Sequence, residues 1–337
     1  MYENGVRKMA WICRVDSVEK HPDADSLDIC TVGGWKCITK LGEFSPGDFA
    51  VYVSIDSWIP HELAPFLGRG SEPKEYEGVL GYRLRTIKLR GQISQGLLLS
   101  IGVVWDKIIV VEGEDVSGIL NIQKYEAPIP AELAGEVVGP FPTHIIPKTD
   151  EERVQNIDPE DIFAAGSLIF TEKLDGTSAT YIKQNGKLRV CGRNWEFVEN
   201  DNTYWRIARE LDLINKMQDN TAIQGEIVGP GIQGNKYRLK KHELFVFSMY
   251  LIDNLFDNGH RRITQQASWL QSVPVIAYGI SLSTHPDDDP IAYLLKCAEG
   301  PSELNPEVER EGIVIRSSFR RFSCKAISNR WLLKHKE

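Results

Sequence analysis

Residues Phe170 to Ile182, FTEKLDGTSATYI, set a lysine, an aspartate and a glycine in the order K-x-D-G, as Lys173, Asp175 and Gly176. A lysine amine has an ordinary pKa of about 10.4 and is a weak nucleophile until its surroundings favour the neutral form. A divalent cation nearby would favour it. Such a centre also needs carboxylates for the metal, basic groups for phosphates and an aromatic surface for a base. Alone, K-x-D-G is equally the make-up of a salt-bridged turn, and chance supplies it in roughly one chain of this length in ten.

The other pieces occur further along. QGEIVGPGIQGN puts Glu226 among glycines, where backbone can approach a ligand closely, and EREGIVIRS puts Glu311 at the head of an apolar strand. Both are metal or ribose candidates. HELFVFSMYLID alternates Phe245, Phe247 and Met249 on one expected strand face, which offers either a stacking surface for a purine or ordinary core. RFSCKAISNRWLLK adds Lys325 on a late strand, a single positive charge suited to an α-phosphate.

In this order the motifs resemble the nucleotidyltransferase domain of the covalent nucleotidyltransferase superfamily, which holds ATP-dependent DNA and RNA ligases and mRNA capping enzymes. The resemblance runs from Pro147 to Lys334. It implies Lys173 as the nucleophile that takes up AMP, with Asp175 and Gly176 as its motif partners. It further implies Glu172 as reader of the adenine amino group, Arg193 near ribose or phosphate and Phe247 as the stacking aromatic. Glu226 falls on the third motif, Glu311 on the fourth and Lys325 on the fifth. Asp175, Glu226 and Glu311 are the expected metal carboxylates, for Mg²⁺ or Mn²⁺. The last motif is often K-x-K, and here Ser323 holds the earlier position, with Arg316 and Lys334 as substitutes for the second phosphate contact.

In DNA ligases and capping enzymes the oligonucleotide-binding (OB) barrel follows the last motif. Here the sequence ends at Glu337, 12 residues past Lys325, and the barrel-like half comes first. That order resembles the nick-sealing RNA ligases. PKTDEERVQN, Pro147 to Asn156, resembles the lead-in to the lysine in that group and implies nucleotide or pyrophosphate contacts from Lys148, Arg153 and Gln155. The same segment reads as a helix start, with Thr149 as cap and Glu152 at the third position.

The elements that must position these residues follow from texture. Residues 8 to 120 are short alternating segments separated by turns, the pattern of a small barrel. Within it, VDSVEKHPDADSLDICTV is similar to the opening of tRNA-binding OB modules, and YRLRTIKLRG interleaves Arg83, Arg85, Lys88 and Arg90 with apolar residues as a candidate RNA-contacting strand. Five of the 17 prolines lie between Pro128 and Pro147, a density expected of a linker rather than of a sheet or helix. Beyond it, strands mix with helices marked by Ile207, Leu211, Ile214 and by Ile291, Leu294, Leu295. Asn185-Gly186 supplies the tight turn of a hairpin. The expected fold is α+β: an OB-like barrel over 1–130, a linker over 131–146, and over 147–337 a mixed α/β, ATP-grasp-like nucleotidyltransferase domain with antiparallel sheets.

Composition narrows the setting. The 337 residues are 42% hydrophobic and 26% charged, and no stretch approaches 18 apolar residues, so an intracellular protein without membrane insertion is expected. Six scattered cysteines with no C-x-x-C argue against zinc ribbons and disulfides. A net charge of -8 excludes a wholly electrostatic nucleic-acid binder but allows a local basic groove. With no long exposed apolar heptad, a monomer is expected. The resemblance implies a ligase that joins RNA 3'-hydroxyl and 5'-phosphate ends, at a nicked duplex or paired ends, through lysyl-AMP and an AMP-capped RNA. The alternatives are a non-catalytic RNA-binding protein, a DNA ligase or a capping guanylyltransferase.

Overall fold

The computed structural model describes residues 2–3, 6–68, 70–126, 135–253, 255–256, 259–263, 267–282 and 289–335. The first half is a set of small antiparallel sheets. Leu97–Ser100, Phe49–Val53 and Ala10–Arg14 form one, and the meander Ser17–Lys20, Leu27–Val32, Trp35–Lys40 forms a second. Alternation decides which side chains turn inward. Along Trp35–Lys40 every second residue is buried, so Trp35 and Cys37 join Trp11 and Tyr52 in the core while Lys36 and Lys40 face outward. Tyr52 keeps its buried hydroxyl satisfied by donating to the Gln95 carbonyl at 2.6 Å.

The expected basic strand does not form as one element. Val79–Arg83 and Ile87–Leu89 are separate strands in different sheets, because Leu84 turns into the core between them. Arg83 is paired with Asp56 at 2.5 Å, Lys88 donates to the Leu333 carbonyl at 3.2 Å and Arg90 to the Asp23 carbonyl at 3.3 Å. Arg85 alone of the four is exposed with no partner among the described residues.

The second half carries two larger antiparallel sheets. Seven strands run in the spatial order Val137–Pro140, Trp195–Phe197, Lys187–Cys191, Thr177–Gln184, Thr221–Val228, Glu243–Ile252, His260–Ile263. Four run in the order Val275–Ile280, Leu168–Lys173, Gly312–Ser317, Ser323–Ile327. The helix Thr203–Glu210, capped by Asn202, packs Trp205, Ile207 and Ala208 on the first sheet; Pro290–Cys297, capped by Asp289, packs Ile291 and Leu294 on the second. The apolar spacing across 203–217 is two helices rather than one, since Asp212 is left-handed at φ 53° and Leu213–Lys216 starts afresh. The hairpin turn is as expected, with Asn185 at φ 52° and Gly186 at φ 71°.

Part of the proline-rich stretch is structure rather than linker. Residues 131–134 lie outside the described residues, but Val137–Pro140 is the edge strand of the seven-stranded sheet, and Phe141 and Ile146 are buried. An edge strand tolerates prolines because one of its sides needs no ladder donors. The expected helix start at Thr149 is also absent. Glu152 instead accepts from the Asn156 side chain at 2.5 Å and the Arg153 amide at 3.1 Å, and a single turn, Val154–Asn156, follows.

The halves meet along a packed seam. Ile93 of the barrel is clustered with Ile327, Trp331 and Leu332, and the Arg153 guanidinium lies 5.6 Å from the Trp35 ring centroid. Gly34, at φ +80°, lets the barrel backbone approach Ile291 and Gln155 where a Cβ would sit 2.9 Å from a methyl.

Candidate active site

The two large sheets are joined through the K-x-D-G segment itself. Leu168–Lys173 lies in the four-stranded sheet, and the next strand, Thr177–Gln184, lies in the seven-stranded one. Leu174 to Gly176 therefore cross from one sheet to the other. Gly176 makes the crossing possible, because a Cβ there would lie 2.4 Å from the Ile227 carbonyl oxygen. Between the sheets is a cavity of about 360 Å³ that brings together Lys173, Asp175, Gly176, Arg193, Glu226, Phe247, Glu311, Arg316 and Lys325.

Alternation on three adjacent strands aims the charged groups. Thr171 and Lys173, Val314 and Arg316, Ser323 and Lys325 share one face, while Phe170, Ile313, Ile315, Cys324 and Ala326 fill the core behind it. The Lys173 ammonium donates to Glu311 Oε1 at 2.6 Å, and the other Glu311 oxygen is buried without a partner. Burial pushes the Lys173 amine down, but Glu311 and Glu226 outweigh it and the amine ends above its usual range. Burial pushes Glu226 up to about 8 despite Lys173, and raises Glu311 too.

Phe247 reaches the cavity through a bulge. Gln224 pairs with Ser248 and Gly225 with Val246, so Phe247 faces no partner residue and the alternation shifts. Phe245 and Phe247 consequently share one cluster, whereas Met249 packs on the opposite face with Leu244 and Val246, against the expected common face. The Arg316 guanidinium stands 5.6 Å from the Phe247 ring centroid.

Several residues that the sequence reading did not single out complete the site. Asp150 accepts from Lys325 at 2.9 Å and from Arg193 at 3.2 Å. Burial would raise its carboxyl, but those two cations more than offset it and hold it well below the usual range. Glu151 accepts from Arg316 at 2.9 Å and from Ser323 at 2.5 Å. Ser323 thus supports an arginine carboxylate partner in place of a second lysine. Lys236 is ion-paired with Asp175, and the hydroxyl of the next residue, Tyr237, accepts the Asp175 amide at 2.7 Å.

Other expected contacts lie elsewhere. Arg153 and Gln155 are buried at the seam and do not line the cavity, because the Val154 turn directs them to Trp35 and Gly34. Lys148 is exposed and donates to Asn194 at 3.3 Å, outside the cavity, and Lys334 is 4.0 Å from Glu309. Glu172, by contrast, also lines the cavity, although it leaves its strand on the face opposite Lys173; its Oε2 accepts the Glu303 amide at 2.8 Å, and Oε1 is buried without a partner. Asp175, Glu226 and Glu311 line one cavity, yet no three acidic, His or Cys side chains form a ready metal cluster among the described residues.

A family profile described as RNA ligase matches residues 166–332, and an OB-fold domain profile matches residues 9–101. An apo mutant of Naegleria gruberi RNA ligase is 38% identical, covers 98% of this chain and 99% of its own, and superposes with a TM-score of 0.77. The chain belongs to the RNA ligase family. Mutants of the same Naegleria ligase solved with AMP and Mn, and with ATP and Mn, give TM-scores of 0.77 and 0.73 at 38% identity over 98% of this chain and 99% of theirs. No curated protein sequence matches. As in the family's architecture, an amino-terminal OB-fold domain precedes the mixed α/β ligase domain. No helix is long and apolar enough to cross a membrane among the described residues.

Proposed function

We propose that this RNA ligase uses ATP to join an RNA 3'-hydroxyl to a 5'-phosphate, with Lys173 carrying AMP as a phosphoamide. The observation that carries it is the Lys173 ammonium inside a cavity that Arg193, Arg316 and Lys325 also line, Arg316 and Lys325 from the strands beside it. In the first step the neutral Lys173 nitrogen bonds the α-phosphorus, the bond to pyrophosphate breaks, and the amine proton is lost. Glu311, already hydrogen-bonded to that amine, is placed to receive it. AMP then passes to the RNA 5'-phosphate, and the 3'-hydroxyl displaces it.

Within this scheme Lys325 and Arg193 meet the α-phosphate and its neighbours, and Arg316 supplies the second phosphate contact that Ser323 lacks. Phe247 stacks on the base. The partnerless Glu172 oxygen is an acceptor available to an exocyclic amine such as that of adenine. The oxygen-rich set of Asp175, Glu226 and Glu311, with a buried Glu311 oxygen lacking a partner, fits a hydrated Mg²⁺ or Mn²⁺. When bound, that ion supplies positive charge that lowers the amine's pKa and neutralises phosphate. The domain division we propose keeps the barrel within 1–130 and assigns Val137–Pro140 to the catalytic half.

Intact-protein mass after incubation with ATP and Mg²⁺ or Mn²⁺ tests this. The expected result is an AMP-sized gain on Lys173, absent in Lys173→Met. A GMP-sized gain with GTP would favour capping chemistry, and no gain from a sample shown to be unmodified would leave only RNA binding.

A further inference from the structure

The loop between the strands Gly312–Ser317 and Ser323–Ile327 presents Phe319, Arg320 and Arg321 to solvent. Phe319 is 86% exposed, against the usual fate of a large aromatic side chain. Arg320 and Arg321 have no partner among the described residues, whereas the cavity cations Arg193, Arg316 and Lys325 all face an acid. Such an unpaired basic pair stands out on a chain of net charge -8.

The loop is held, not loose. The buried Ser317 hydroxyl accepts the amides of Phe319 at 3.1 Å and Arg320 at 3.0 Å while donating to the Ala165 carbonyl at 2.7 Å. Ser318 adds a backbone bond to Ser167 at 2.9 Å. Binding a partner would therefore cost little further ordering of the backbone. The loop follows directly on the cavity wall, since Arg316 lines the cavity and the strand that carries it ends one residue later at Ser317. Arg262, on the seven-stranded sheet, is a further basic group near Arg316, its guanidinium pushed down by burial and by the charge of Arg316.

We infer that the 318–322 hairpin is a contact for the RNA strand whose end enters the cavity, with Phe319 stacking on a base and Arg320 and Arg321 meeting phosphates. This rests on the ligase reading above. An aromatic beside guanidinium groups suits nucleic acid, because every base has a face to stack and every phosphate a charge to pair.

The test is fluorescence anisotropy with a nicked RNA duplex over a salt series, run on the full chain, the double variant Arg320→Ala/Arg321→Ala, Phe319→Ala and Phe319→Trp. Lysine adenylylation from ATP is measured on each. The double variant is expected to weaken RNA binding at least about tenfold and to flatten the log-log salt slope by about 1.4 to 1.8, two phosphate contacts' worth. Phe319→Ala should lose about tenfold with the slope unchanged, and Phe319→Trp should restore it. Adenylylation should match the unmodified chain throughout. Unchanged RNA affinity and slope in a chain that still takes up AMP overturn the inference alone. Absence of adenylylation from the unmodified chain overturns the ligase reading on which it stands.

Discussion

Asp150 is a carboxylate standing where phosphate is expected, since it holds Lys325 and Arg193 at once. Its depressed pKa has a direction in pH. The pairing stabilises the fold above the unfolded value near 3.8 and is lost as pH falls through the lower folded value. Asp150→Asn should therefore lower the Tm at pH 7, with the difference from the native chain closing on acidification below about pH 4. Asp150 is 48% exposed, so solvent screening limits the loss to about 1 kcal/mol. Calorimetry across that pH range checks it. The same variant frees two cations and should bind inorganic pyrophosphate more tightly; an unchanged or weaker titration would mean that Asp150 only orders them.

Elements, more than single side chains, decided what the sequence could show. The hairpin at Asn185-Gly186 was legible because two residues require positive φ, and Lys173 was legible because its motif is local. Phe247 and Met249 were read on one face because a bulge leaves no mark in an alternating apolar run; only its pairing with Gly225 and Gln224 reveals the shift. Arg153 and Gln155 looked like nucleotide contacts because their segment leads to the lysine, but a one-turn helix rotates them into the seam. Asp150, Glu151 and Lys236 went unread because their partners are distant in sequence, up to 175 positions for Asp150 and Lys325. At this scale Gly176→Ala should break the sheet crossing. With a carbonyl oxygen 2.4 Å from the new Cβ, the backbone must shift, costing about 1–3 kcal/mol and separating Lys173 from Glu226. Mass measurement should show lost adenylylation, alongside a circular dichroism spectrum that keeps its β signal.

The whole molecule is tied together by Trp331. It is clustered with Ile93 of the barrel, Lys236 lies 4.6 Å from its ring centroid, and Lys236 in turn holds Asp175. Trp331→Ala should cost about 3–5 kcal/mol. The single melting transition expected of the docked halves should then split in two, with adenylylation slowed although Trp331 lies off the cavity. A single transition at unchanged Tm would show that the seam contributes little. The seam also sets an order of events during synthesis. Lys88 and its partner Leu333 are 245 positions apart, so at about 5–20 residues per second the barrel emerges roughly 12 to 50 s before the helix Asn329–Lys334 that covers it. For that interval Ile93 and its neighbours are an uncovered apolar patch on a nascent chain, and a chaperone is the natural occupant of a surface the finished protein never shows.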